Sequence, residues 1–150
     1  MALCAGAYYP GIMTVKFFAH GLPMAIAVLR AVTAWRLWDG TWPYVSRLNS
    51  MQDVTSFFES LYIPLPMLSA YLSVYIQFIG SILLFVGWQT RITAFLLVIN
   101  FSVALLAAHL HDPISKSFQA WALWAIAIFF LFNGAGKYSL DDLEQNYKNR

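Results

Sequence analysis

Arg36 and Asp39 stand three residues apart, a spacing that puts both charges on one face of a helix. A guanidinium fork beside a carboxylate suits an anionic or quinone headgroup. His109, His111, Asp112 and Lys116 form a second polar cluster further along the chain. Arg36, Asp39, His109 and Asp112 are therefore the candidate ligand-binding residues, and quinone-linked electron transfer is the chemistry they would serve. No nucleophile with a matching base stands out, so no catalytic residue is assigned. Cys4 is the only cysteine, which excludes an internal disulfide or a Cys-x-x-Cys redox pair. Any electron chemistry must come from a bound group or a neighbouring subunit.

The elements that would position these residues are long and apolar. Segments 67–88, 92–110 and 118–136 carry no formal charge, and each can cross about 30 Å of hydrocarbon at about 1.5 Å per residue. An earlier segment, 25–44, is apolar apart from Arg30, Arg36 and Asp39 and supplies a fourth span. Composition agrees: 60% of residues are hydrophobic and 11% charged, against roughly 25% charged in a soluble domain. The expected fold is all-α, an integral membrane four-helix bundle with a short amphipathic helix in its first outer loop. Residues 1–24 form an N-terminal cytoplasmic segment, 25–136 the membrane domain and 137–150 a cytoplasmic tail. The formal charge of +2 is dispersed, which excludes nucleic acid as a partner. Residues 1–10 have neither a basic start nor an apolar run of the kind a cleavable signal needs.

Outside the spans, Lys16, Arg91, Lys137, Lys148 and Arg150 fall on the side of the termini and Arg47 and Lys116 on the other. That excess places both termini in the cytoplasm. Trp38, Trp42, Tyr71, Trp121 and Trp124 suit an outer aromatic belt, Trp88 and Tyr138 an inner one. His109 and His111 point about 200° apart on a helix and cannot clasp one metal, and His20 falls at the opposite face. No metal site is expected, although one histidine could be an axial ligand to a pigment or haem shared with a neighbouring subunit.

The outer loop has a helical pattern in Val54, Phe57, Phe58 and Leu61, with Asp53, Ser56, Glu59 and Ser60 facing elsewhere. Pro64 and Pro66 stop it. This helix should cover the bundle mouth, with a lid over a pocket as the alternative. Gly87 to Arg91 is a short inner hairpin, so the second and third spans are antiparallel neighbours. The tail should form a short helix starting at Ser139 or Leu140, with Asp141 and Asp142 in its first turn.

Charges inside a bilayer cost about 2.5–3.5 kcal/mol each and mark the places to look for function. Arg30 can snorkel to the cytoplasmic headgroups or serve a site. Ser69, Ser73, Gln77 and Ser81 recur every four residues on the second span, a small polar stripe suited to close helix contact. Gln77 and Asn100 lie about 16 and 14 Å from the inner hairpin and are placed to hydrogen-bond, with a quinone or proton path as the alternative.

Leu29-Arg30, Gly87-x-x-Thr90-Arg91, His109-x-x-Asp112-Pro113-x-x-Lys116 and Gly134-x-Gly136-Lys137-Tyr138-Ser139-x-Asp141 together resemble the DoxX family over about residues 25–142. The resemblance implies a four-helix membrane protein linked to respiratory or sulfur redox chemistry; a related subunit pair is a thiosulfate:quinone oxidoreductase. Where the family has a histidine before the first-helix glycine this chain has Asp39-Gly40, and where it often has a glutamate in the second helix this chain has Gln77. Loss of those titratable groups, with the turn residues kept, suggests a scaffold. The resulting expectation is an accessory subunit of a larger redox complex in the bacterial inner membrane. Its partners are lipids and other integral subunits, and it binds lipid or quinone but carries no cofactor of its own. A quinone-linked oxidoreductase subunit is the alternative, and a small-solute or proton carrier using Gln77 and Asn100 the third.

Overall fold

The computed structural model describes the backbone of residues 11–47, 50–108 and 113–148, and the side chains of those from 21 onward. Helices are the only regular secondary structure among the described residues: α1 Gly11–Ser46, α2 Ser50–Ser60, α3 Pro66–Val86, α4 Thr90–Ala108, α5 Ile114–Asn133 and α6 Leu140–Lys148. Three of these, α3, α4 and α5, are long and apolar enough to cross a membrane. The expected fourth span is not among them, because the stretch of α1 that packs on the others carries Arg30, Arg36 and Asp39. The helix that holds it begins at Gly11 and contains Pro23, so residue 25, near which the span was expected to begin, lies inside a helix.

Local sequence explains the ends. Pro66 occupies the first turn of α3, where a missing N–H costs nothing. Gly87 closes that helix in the left-handed region at φ 73°, which permits a Schellman pair: Gly87 N–H donates to Leu84 O at 3.1 Å and Trp88 N–H to Leu83 O at 3.0 Å. The chain then turns through Trp88 and Gln89 into α4, as the expected hairpin requires. Pro113 is the N-cap of α5, and its carbonyl accepts from Lys116 N–H at 2.9 Å. Ser139 starts α6 as expected, its hydroxyl accepting from Asp142 N–H at 3.2 Å.

Long helices α1, α3, α4 and α5 share one apolar core. Ala34 and Leu37 of α1 meet Leu84 of α3, Ala94, Leu97 and Phe101 of α4 and Leu123, Ala127 and Phe130 of α5. Gly80 lets α3 approach α4 closely, since a Cβ there would sit 3.3 Å from the Thr93 methyl. Helix α2 lies against α3 and presents Val54 and Phe58 inward, with Met51 buried, while Gln52, Asp53, Ser56 and Glu59 are exposed. It is amphipathic, as the sequence pattern predicts.

The tryptophans pack between helices as well as facing outward. Trp38 stacks on Trp42 at 5.2 Å and meets Phe78 of α3 at 4.8 Å. Trp124 Nε1–H donates to Ser102 Oγ across the α4–α5 contact at 2.9 Å, a pairing the sequence reading missed. Outside this core the surface is oily: Val32, Trp35, Leu68, Phe85, Leu106 and Phe132 are all exposed. A soluble monomer rarely presents contiguous apolar area on this scale, whereas hydrocarbon solvates it without penalty.

Adjacent phenylalanines separate core from lipid face. Phe130 is fully buried and Phe129 is 39% exposed. Phe130→Ala should lower stability by about 3–5 kcal/mol and Phe129→Ala by less than about 1 kcal/mol. Unfolding in detergent followed by circular dichroism measures both.

Candidate functional site

The residues picked out by sequence gather at two ends of the helical unit. At the hairpin end, Arg30 is 5% exposed and aims its guanidinium at the segment after α5. Its Nη1–H donates to Ala135 O at 2.7 Å and its Nη2–H donates to Tyr138 O. Those carbonyls lie past the last turn of a helix, where no intrahelical donor remains, so a buried cation with several N–H groups complements them. Arg30 therefore does not snorkel into solvent. It ties α1 to the chain that follows α5.

Around it the backbone is drawn tight. A Cβ on Gly87 would come within 2.4 Å of Arg30 Nη1 and 2.7 Å of Ser139 Cβ. Gly136, at φ 77°, lies against Ile26, which a Cβ would approach to 3.0 Å. Ser139 is buried and its hydroxyl donates to Gly136 O at 2.6 Å. Asp141 completes the latch: its carboxylate accepts from Gln89 N–H at 2.7 Å and Thr90 N–H at 3.0 Å, capping α4 from a distant part of the chain. Asp141 N–H in turn donates to Gly87 O at 3.0 Å. Arg91 lies against the end of α5, its Nη2–H reaching Phe132 O at 3.4 Å, and Lys137 is exposed.

Each end has a cavity: at the hairpin end one of about 550 Å³ is lined by Arg91, Lys137, Ser139, Asp141 and Asp142. Between α1, α3 and α4, beneath α2, lies a cavity of about 520 Å³. Val54, Phe57 and Phe58 of α2, with Leu61 just after it, form its cover, so the helix lies over a pocket. Its polar lining comes from Thr41 and Tyr44 of α1, Ser69, Ser73 and Gln77 of α3, Asn100 of α4 and Asp53 of α2. Gly40, Ala104 and Ala107 also face it, and their small size leaves the volume unfilled.

The expected Gln77–Asn100 hydrogen bond is not formed. Gln77 Nε2–H turns back to Ser73 O and Oγ, both at 3.4 Å, and Asn100 Nδ2 is buried with no partner among the described residues. Ser81 is buried as well but donates to Phe78 O at 2.6 Å within its own helix and does not line the cavity. The stripe of Ser69, Ser73, Gln77 and Ser81 is thus divided: its first three members line the cavity and its last is packed.

Arg36 and Asp39 pair with one another at 3.8 Å, with side chains 41% and 71% exposed. Exposed pairs of this kind contribute about 0–1 kcal/mol. Neither lines the cavity, although Arg36 lies over Gly40, which does: a Cβ there would meet its Nη1 at 3.0 Å. His109 and Asp112 lie outside the described residues. Pro113 and Lys116, from the same motif, begin α5, with Lys116 exposed and Ser117 buried beside it.

An all-helical chain with three apolar spans, an oily exterior and its motif residues joining helix ends is an integral membrane protein. It belongs to the DoxX family, whose model matches residues 12–110. That match covers α1 to α4, including Arg30, Gly40 and Arg91, whereas Pro113, Lys116, Gly136, Lys137, Ser139 and Asp141 lie beyond it. No curated protein and no solved structure matches the chain.

Two substitutions test the latch. Arg30→Met leaves the buried Ala135 carbonyl and the partly buried Tyr138 carbonyl without this donor and should cost about 2–5 kcal/mol, and Arg30→Lys should restore only part because an ammonium lacks the planar fork. Gly87→Ala should cost about 1–3 kcal/mol from overpacking. Thermal unfolding gives the size, and faster proteolysis after Lys137 in either variant would show that the segment has come loose.

Proposed function

We propose that the chain is an accessory subunit of a bacterial energy-transducing redox complex, with four helices in the inner membrane and no reaction of its own. The observation that carries this reading is how the motif residues are used. Arg30, Ser139 and Asp141 direct their polar atoms at neighbouring backbone, where they fix one helix end to another. Such residues preserve a shape. On this reading α1 is the fourth crossing, its charges made tolerable by the latch at one end and by the exposed Arg36–Asp39 pair towards the other. The exposed apolar faces then meet acyl chains or the helices of other integral subunits, by packing of the kind that operates between helices in lipid.

Purification from native membranes in a mild detergent tests the proposal. The chain should elute with other integral subunits at a mass well above its own; a homogeneous monomer free of partners would overturn it. Orientation has its own test, because Cys4 is the only thiol. With both termini cytoplasmic, an impermeant maleimide should label inside-out vesicles and spare intact spheroplasts.

A quinone-linked oxidoreductase subunit is the second reading. The observation in its favour is that the Arg36 guanidinium borders the cavity through Gly40. Quinone reduction by thiosulfate, lost in Arg36→Leu and His109→Ala, would favour it over the accessory role.

A further inference from the structure

The cavity beneath α2 has a chemistry that a purely architectural subunit does not need. At about 520 Å³ it falls within the range of roughly 300–1,000 Å³ found for small-molecule sites. Its walls are mostly apolar, so water filling it would be poorly hydrogen-bonded. Asn100 lines this space, and its amide nitrogen is buried with no partner among the described residues. Buried polar groups in proteins are nearly always satisfied, and an orphaned donor at the wall of a cavity identifies what the missing partner must be: an acceptor. Gln77 adds a complementary feature. Its own amide nitrogen is held by Ser73, which leaves its carboxamide oxygen as an acceptor at the same wall.

Charge narrows the ligand further. No lysine, arginine or histidine among the described residues lines the cavity, and its one formal charge is Asp53, on the exposed face of α2. Among the described lining residues a phosphate or carboxylate would find no cation to replace its water. A carbonyl oxygen would lose little and gain the Asn100 N–H. We propose that this cavity binds one neutral, largely apolar molecule through a carbonyl oxygen that accepts from the Asn100 amide. A quinone and a glycerolipid ester share that chemistry. Ala104 and Ala107 make the room for it, and the apolar face of α2 covers it.

The site goes beyond the accessory-subunit reading and stands or falls separately from it. The full-length chain in mild detergent is titrated with three probes: a short-chain benzoquinone, a short-chain diacylglycerol and a short-chain fatty acid. One of the two neutral probes should bind, and which of them does so identifies the source of the carbonyl. Asn100→Leu should weaken that binding about tenfold, the loss expected for one buried hydrogen bond. Ala104→Phe, which fills the cavity from another side, should abolish it; should Asn100→Leu fail to fold, Ala104→Phe alone decides. Failure of both neutral probes to bind, binding unchanged in the variants, or a fatty acid binding as tightly as the neutral probes would overturn the proposal. A chain that retains its neutral ligand yet purifies without partners, or reduces no quinone with thiosulfate, leaves this site standing while removing the corresponding role.

Discussion

A guanidinium taken out of water must have its N–H groups received, and the hairpin end of this protein is built around that requirement. Arg30 is buried within the helical unit, and the acceptors that meet it are Ala135 O and Tyr138 O, from a segment more than a hundred residues away in sequence. The same carbonyls, in the segment between α5 and α6, would otherwise lack this donor, a condition that hydrocarbon penalises more severely than water does. Each deficit is the remedy for the other. Arg30 Nε is left without a partner, so the match is close but incomplete. The carboxylate of Asp141 supplies the opposite charge nearby, while its oxygens are held by the first amides of α4.

This exchange determines where glycine is needed. Gly87 must let Arg30 and Ser139 approach its backbone on the side a Cβ would occupy, and it must also turn left-handed to end α3. Both demands exclude any other residue at low cost. The order Gly87-x-x-Thr90 and the order Gly136-x-x-Ser139-x-Asp141 are thus two halves of one contact. A motif of glycines, a hydroxyl and a carboxylate at a membrane interface has the composition of a binding site. Here its parts bind each other.

Much of this was legible from the chain alone, and the failures have identifiable causes. Apolar runs located α3, α4 and α5 to within a few residues, because hydrophobic length is a strong signal and Pro66, Gly87, Pro113 and Gly134 sit near the ends. The amphipathic α2 and the capped start of α6 followed from spacing and from Ser139. The helix that holds the expected 25–44 span reaches back to Gly11, an extension the sequence does not signal, since nothing before residue 25 marks a cap. Gln77 and Asn100 were assigned to each other on depth alone. Depth fixes how far along a helix a residue lies but not its rotation, and the side chain of Gln77 had a nearer partner in Ser73. The bond between Ser102 and Trp124 was missed for the converse reason: a tryptophan near a membrane face already has an explanation in the interfacial belt.

The two ends of the structure use small residues in opposite ways. At the hairpin end, Gly87 and Gly136 give up side chains so that polar groups and backbone can touch. Near α2, Gly40, Ala104 and Ala107 give up volume and nothing moves in to occupy it. A core that served packing alone would gain by filling such a space, since dispersion contacts are the main attraction between helices in lipid and a void forfeits them. It would also gain by replacing Asn100, whose buried nitrogen has no partner among the described residues, with leucine. Both losses fall at one place, beneath an amphipathic cover. They cease to be losses when a molecule with an apolar body and an acceptor oxygen occupies that place.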